Sequence, residues 1–167
     1  LSQKLNENLA VTVAVFCAGT PSMSGTVALA NSLGVADPSQ VTTVKFRGEG
    51  WPGLMTIEYQ TEEGERKEAS IPYDEGWGQI LQKHRQWRCN MCADHTGESA
   101  DISVGDPWYR PVDKGDPGRS LIVVRTERGK KYVREAIDAG YLEAEKCSPH
   151  VVDLAQKHLL KAQASIW

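Results

Sequence analysis

The sequence predicts an α+β fold: a single domain with a mixed or antiparallel sheet flanked by helices. Three observations carry that expectation. Ala10 to Phe16 (AVTVAVF) and Ser120 to Thr126 (SLIVVRT) are β-branched and apolar, the pattern of buried strands. Leu54 to Gln60 and Arg66 to Ile71 flank Glu63-Gly64 as the arms of a hairpin. Stretches of helical pattern, opened by Ser, Asp or Pro and closed by Gly, separate these strands.

The elements follow in order. Leu1 to Ala10 reads as a mid-protein helix running into the first strand, so the chain is expected to be the C-terminal portion of a longer protein. The strand 10–16 ends at Cys17 and the turn Ala18-Gly19-Thr20-Pro21. Ser22 or Ser24 then caps a helix through Leu33, stopped by Gly34. Val41 to Phe46 alternates as a strand and runs into Arg47-Gly48-Glu49-Gly50-Trp51-Pro52-Gly53. After the hairpin, Asp74 caps a helix from Glu75 to about Arg85, which delivers the chain to Cys89. Asp101 to Val104 is a short strand closed by Gly105-Asp106-Pro107. Strand 120–126 leads into a helix over Lys130 to Ala139 with Gly140 at its end. Pro149 opens a last helix whose stripe of Val152, Ala155, Leu159 and Ala162 is a packing face. The expected organisation is residues 1–9 as a remnant of a preceding region, 10–147 as the domain and 148–167 as a C-terminal helix.

Bulk properties exclude several functions. At 167 residues the chain fits one domain and can bury a core without disulfide staples. A net charge of −3 argues against nucleic acid as the main partner, because phosphate binding needs a concentrated cationic surface. No apolar run approaches the ~20 residues of a membrane span. Four cysteines are too few for a secreted disulfide scaffold of this size, which points to the cytoplasm.

Cys89 and Cys92, in WRCNMC, carry the strongest chemical signal. Two thiolates on one turn can reach the same metal or cluster, or shuttle between dithiol and disulfide. The spacing alone leaves three readings open: a metal or cluster, a redox dithiol, or unliganded thiols. A self-contained zinc site needs four protein ligands, and would have to recruit Cys17 or Cys147, both distant in sequence. Cys17 reads either as a third ligand or as a small buried hydrophobe closing a strand. RGEGWPG packs Arg47, Gly48, Gly50, Trp51, Pro52 and Gly53 into one turn. Its glycines permit close approach of a phosphate or ring, Arg supplies a charged fork and Trp can stack. The alternative is a wide turn between two strands with Trp51 covering the core. GDPW (Gly105 to Trp108) reads first as a structural turn. His84, His95, His150 and His158 show no metal pairing, and each is expected to be solvated or capping.

FCAGTPS, FRGEGWPG, C-x-x-C and ADISVGDPW, in this order and at these intervals, resemble the coenzyme F420 hydrogenase/dehydrogenase beta-subunit family. The likeness runs from about Phe16 to Thr126 and weakens toward Cys147. It implies the C-terminal part of a larger flavin and iron–sulfur subunit, an oxidoreductase moving electrons between a [4Fe–4S] cluster, FAD and coenzyme F420. It also implies that Cys17, Cys89 and Cys92 are thiolate ligands, with a fourth from an upstream cysteine absent here. Arg47, Gly48, Gly50, Trp51, Pro52 and Gly53 would border the flavin and deazaflavin pocket, and Lys83, Arg85 and Arg88 would add charge for the acidic tail of F420. The implied partner is an electron-donor or acceptor protein of hydrogenase, formate dehydrogenase or ferredoxin type. On this reading the fragment alone does not turn over. Two competing readings are the same cofactors with another acceptor, and a non-catalytic docking module that is zinc-bound or metal-free.

Overall fold

The computed structural model describes residues 5–110 and 116–164. After a short 3-10 turn at Leu5–Asn8, the strands are β1 (Val13–Val15), β2 (Val41–Lys45), β3 (Leu54–Gln60), β4 (Arg66–Pro72), β5 (Ile102–Gly105) and β6 (Leu121–Val124). The helices are α1 (Met23–Ser32), a single turn α2 (Tyr73–Glu75), α3 (Glu127–Asp138), α4 (His150–Ala155) and α5 (Lys157–Ala164). The α+β expectation holds, but there are two three-stranded sheets, β1-β5-β6 and β2-β3-β4. The chain gathers into two compact units. The first takes the segments up to Ala18, Cys92–Arg110 and from Arg119 onward; the second takes Gly19–Met91 and the segment ending at Gly118.

In the first unit the sheet is mixed: β1 runs parallel to β5 and β6 antiparallel to it. The expected buried strand 10–16 is only Val13–Val15, and it is not buried: Val13 is 60% and Val15 70% exposed. Residues 13–16 are all apolar, so their pattern cannot reveal which face is covered, and β1 lies at the sheet edge, paired on one side. The unit is organised by Asp101, which is 4% exposed. Its carboxylate accepts from the Thr12 N–H and hydroxyl, the Thr126 hydroxyl and the Arg128 guanidinium at 2.6–3.0 Å. Thr126 also caps α3, accepting from the Gly129 N–H at 3.1 Å, so that helix starts three residues before the sequence pattern suggested. Gly129 is buried, and a Cβ there would lie 2.5 Å from the Asp101 carbonyl oxygen, so the close approach requires glycine. The expected single C-terminal helix breaks at Gln156 (φ −126°), whose buried side chain donates to the Asp106 carbonyl at 2.6 Å. Ala155 is buried and Val152 and Leu159 are half-buried, as a packing face requires; the side chain of Ala162 lies outside the described residues.

In the second unit β2, β3 and β4 form an antiparallel meander. The hairpin closes with Thr61 N–H to the Glu65 carbonyl and Gly64 N–H to the Thr61 carbonyl, with Gly64 at φ +82°. Its buried face, Met55 and Ile57, meets Leu29, Ala30, Val35 and Leu81 in a core cluster. α1 ends close to where Gly34 predicted, with Gly34 at φ +85°. The expected helix 75–85 is not α-helical. The chain makes the turn α2, a π-helical turn Gly76–Ile80 and a 3-10 turn Leu81–His84. Pro72 stands at the start of α2, in place of the expected Asp74 cap. Gly76 is pressed against Met55 and Ile71, and Leu81 is fully buried, so sheet packing overrides the helical pattern.

Candidate functional site

The RGEGWPG segment is the β2–β3 connection of the second unit. Gly48 accepts at its carbonyl from the Leu54 N–H at 2.7 Å, which closes the loop. A Cβ on Gly53 (φ +80°) would overlap the Gly48 carbonyl and lie 2.7 Å from that of Gly50. Gly53 is therefore required by the loop itself. Among the described residues a Cβ on Gly48 would meet nothing within 4 Å, and one on Gly50 would reach only the Asp116 carbonyl at 4.0 Å. No described residue crowds either position. Trp51, joined to Pro52 by a cis peptide bond, is covered by Gly118, where a Cβ would lie 2.8 Å from the indole. Arg47 is exposed, with its guanidinium carbon 4.2 Å from the centre of the Tyr73 ring. Tyr73 stacks on Trp77 with centroids 6.3 Å apart and planes 3° from parallel. The loop thus carries a cation on an aromatic column beside two glycines that no described residue crowds.

Cys89 is on a 3-10 turn, Trp87–Met91, of the same unit. Its sulfur accepts from the Thr20 N–H at 3.4 Å, and its own N–H donates to the Gln86 carbonyl at 3.0 Å. Arg85 lies across Gly19, which has φ +118° and no room for a Cβ, and donates to the Asn90 side chain at 2.6 Å. The arginine and glycine pin the turn that carries the thiol.

In the first unit, Cys17 follows β1. Its N–H donates to the His95 carbonyl at 2.9 Å, while His95 Nδ1 lies 2.9 Å from the Cys17 carbonyl. His95 is 5% exposed, so of its two expected roles, solvated or capping, the solvated one does not hold. Nothing in the local sequence marks it; only the fold brings residues 17 and 95 together. Cys92 is exposed, and its sulfur lies 3.2 Å from the Asp94 carbonyl. The Asp94 carboxylate then accepts from the Thr96 and Glu98 N–H groups, turning the chain toward β5. Cys147 is exposed.

None of the four cysteines is in a disulfide. Among the described residues no group of three His, Cys, Asp or Glu side chains is assembled as a metal ion would need. The thiols therefore fit an iron–sulfur cluster in kind, as soft sulfur donors of which one receives a backbone N–H. They do not form a complete ligand set within the described residues.

Residues 1–150 match the family model described as the C terminus of the coenzyme F420 hydrogenase/dehydrogenase beta subunit. The chain belongs to this family. It is also similar to the coenzyme F420 hydrogenase subunit beta of Methanococcus voltae, 38% identical over 77 residues. That alignment takes in 44% of this chain and 25% of the relative, so the chain spans about a quarter of the relative's length. No helix among the described residues is long and apolar enough to cross a membrane.

Proposed function

We propose that the chain is the C-terminal part of a cytoplasmic oxidoreductase subunit that moves electrons between an iron–sulfur cluster, FAD and coenzyme F420. The family membership of residues 1–150 is the observation that carries this reading. Cys17, Cys89 and Cys92 are the proposed thiolate ligands of a [4Fe–4S] cluster, completed by a ligand from outside the chain. The Thr20 N–H that meets the Cys89 sulfur supports the assignment, since hydrogen bonds to ligand sulfurs are among the contacts that tune iron–sulfur clusters.

The RGEGWPG loop is the proposed wall of the flavin and deazaflavin site. Arg47, fixed against Tyr73, directs a cation toward anionic groups of the ligand. Gly48 and Gly50 leave the backbone open to close approach, whereas Gly53, Trp51 and Pro52 hold the loop's shape. When bound, a flavin supplies the exchange between two-electron hydride chemistry and one-electron transfer. The residues of this chain bind and orient; the reading needs no general acid from them. The partner is an electron-carrying protein of hydrogenase, formate dehydrogenase or ferredoxin type.

The test is anaerobic iron–sulfide reconstitution of the intact protein with FAD, counting iron and sulfide, followed by addition of reduced F420. A cluster of about four irons, with flavin reduction by F420, is expected. Cys89→Ser and Cys92→Ser should each remove the cluster's visible absorption. Flavin and cluster without F420 reactivity would change the acceptor. Zinc in place of iron, with no flavin retained, would overturn the enzyme reading.

A further inference from the structure

The charges of the second unit are segregated along the chain. No Asp, Glu, Lys or Arg occurs between Glu7 and Asp37, and no acid between Glu75 and Asp94. Lys83, Arg85 and Arg88 nevertheless bring three cations to the latter stretch, in a chain of net charge −3. The two stretches pair with each other. Pro21 bridges antiparallel to Arg85, Ser22 N–H donates to the His84 carbonyl at 2.9 Å, and Gln86 N–H donates to the Thr20 carbonyl at 3.0 Å. Ser24 and His84 are joined at 3.2 Å, and a Cβ on Gly25 would touch the His84 side chain. Folding thus sets two stretches that carry no acid side by side at the turn of Cys89.

This region also carries large apolar side chains in water. Met23 is 77%, Trp87 68% and Met91 64% exposed, with Lys83 and Arg88 exposed beside them in the chain. The adjoining helix α1 has no charged residue. Trp, Met and Arg are enriched in the centres of protein interfaces, and Trp and Arg dominate their binding energy.

We propose that this region is the docking surface for an acidic redox protein of ferredoxin type. Charge complementarity selects the partner: an acidic surface meets the exposed Lys83 and Arg88, in a stretch whose sequence holds no acid, which steers encounter and fixes register. A nucleic acid does not fit, because three cations are few for a phosphate backbone and the chain as a whole is negative. A small anion, the F420 tail included, would leave Met23, Trp87 and Met91 wet. A second copy would set the same cations against themselves across a twofold axis. The proposal rests on the electron-transfer reading, which supplies the redox nature of the partner. Cys89 shares its turn with Trp87 and Arg88, so the docked protein lies at a proposed cluster ligand.

The experiment titrates the intact protein, in its native assembly, with a purified acidic ferredoxin by calorimetry at low and physiological ionic strength. Saturable binding that weakens with salt is expected. Lys83→Glu with Arg88→Glu should weaken it about tenfold or more and flatten the salt dependence. Trp87→Ala should weaken it by about tenfold at both salt concentrations. Lys130→Glu with Lys131→Glu, on exposed positions of α3, should change nothing. Circular dichroism checks that each variant is folded. Absence of ferredoxin binding at low ionic strength overturns the proposal. So does binding that neither the charge reversal nor Trp87→Ala alters, or a charge reversal that weakens F420 and leaves ferredoxin affinity unchanged. Self-association that is lost in Trp87→Ala would assign the surface to a second copy and overturn it too. F420 oxidation by a small viologen dye, measured on the unmodified protein, reads the electron-transfer function without docking. Its failure would sink the proposed function while the titration still decides the surface.

Discussion

Replacing Gly19 with alanine should expose how the Cys89 turn is held. Gly19 has φ +118°, outside the range an L-residue adopts without strain, which costs about 1–2 kcal/mol. Its added Cβ would also lie 2.7 Å from Arg85 Cγ and closer still to Cδ, so the arginine must move. Moving it breaks the 2.6 Å hydrogen bond from Arg85 to Asn90, worth about 1 kcal/mol. The sum is a destabilisation of about 2–3 kcal/mol. Gly34→Ala is the internal control: φ is +85°, yet nothing lies within 4 Å of its Cβ, so only the backbone cost of about 1 kcal/mol applies. Urea denaturation should separate the two variants by about 1–2 kcal/mol at equal m-value. In the metal-free protein, a thiol reagent should react faster with Cys89 in Gly19→Ala, because its neighbour Thr20 no longer holds the sulfur. Rates at the exposed Cys92 and Cys147 should not change. Equal stabilities for the two variants, with an unchanged Cys89 rate, would refute the argument.

Further outcomes can be stated briefly. Leu29→Ala, at a fully buried position of the second unit's core, should cost about 2–5 kcal/mol in denaturant unfolding, and a loss below 1 kcal/mol would mean that the site collapses around the cavity. The Arg128 guanidinium, with Thr126 and Thr12, holds the Asp101 carboxyl well below the usual carboxylate range. A depressed folded-state pKa gives stabilisation that is complete above the unfolded value of about 4 and is lost as pH falls below it. Asp101→Asn should therefore flatten the acid-side slope of the urea midpoint; an unchanged slope would place that titration elsewhere. Arg47→Ala loses a cation–π contact worth about 0.5–1 kcal/mol and should leave the domain folded while weakening F420 or FAD binding to the intact protein. Unchanged affinity for both, in equilibrium titration, removes Arg47 from the site.

The sequence by itself determined the elements whose signals are local. Gly34 and Gly140 end helices because they supply the positive φ that the helix exit needs, and the hairpin over Leu54–Pro72 follows from alternation on either side of a glycine turn. The family was legible too, because its motifs keep their order and intervals along the chain. Tertiary structure decided what depends on residues far apart. It exposed Val13 and Val15 by leaving β1 at a sheet edge, which the all-apolar residues 13–16 cannot signal. It replaced a continuous helix before Cys89 with tight and wide turns, because Gly76 must approach Met55. His95 became a clamp on Cys17 across 78 positions of chain, and Arg47 acquired Tyr73 as its platform. Local propensity fixes where a chain turns or coils; only packing fixes which face is wet and which distant side chains meet.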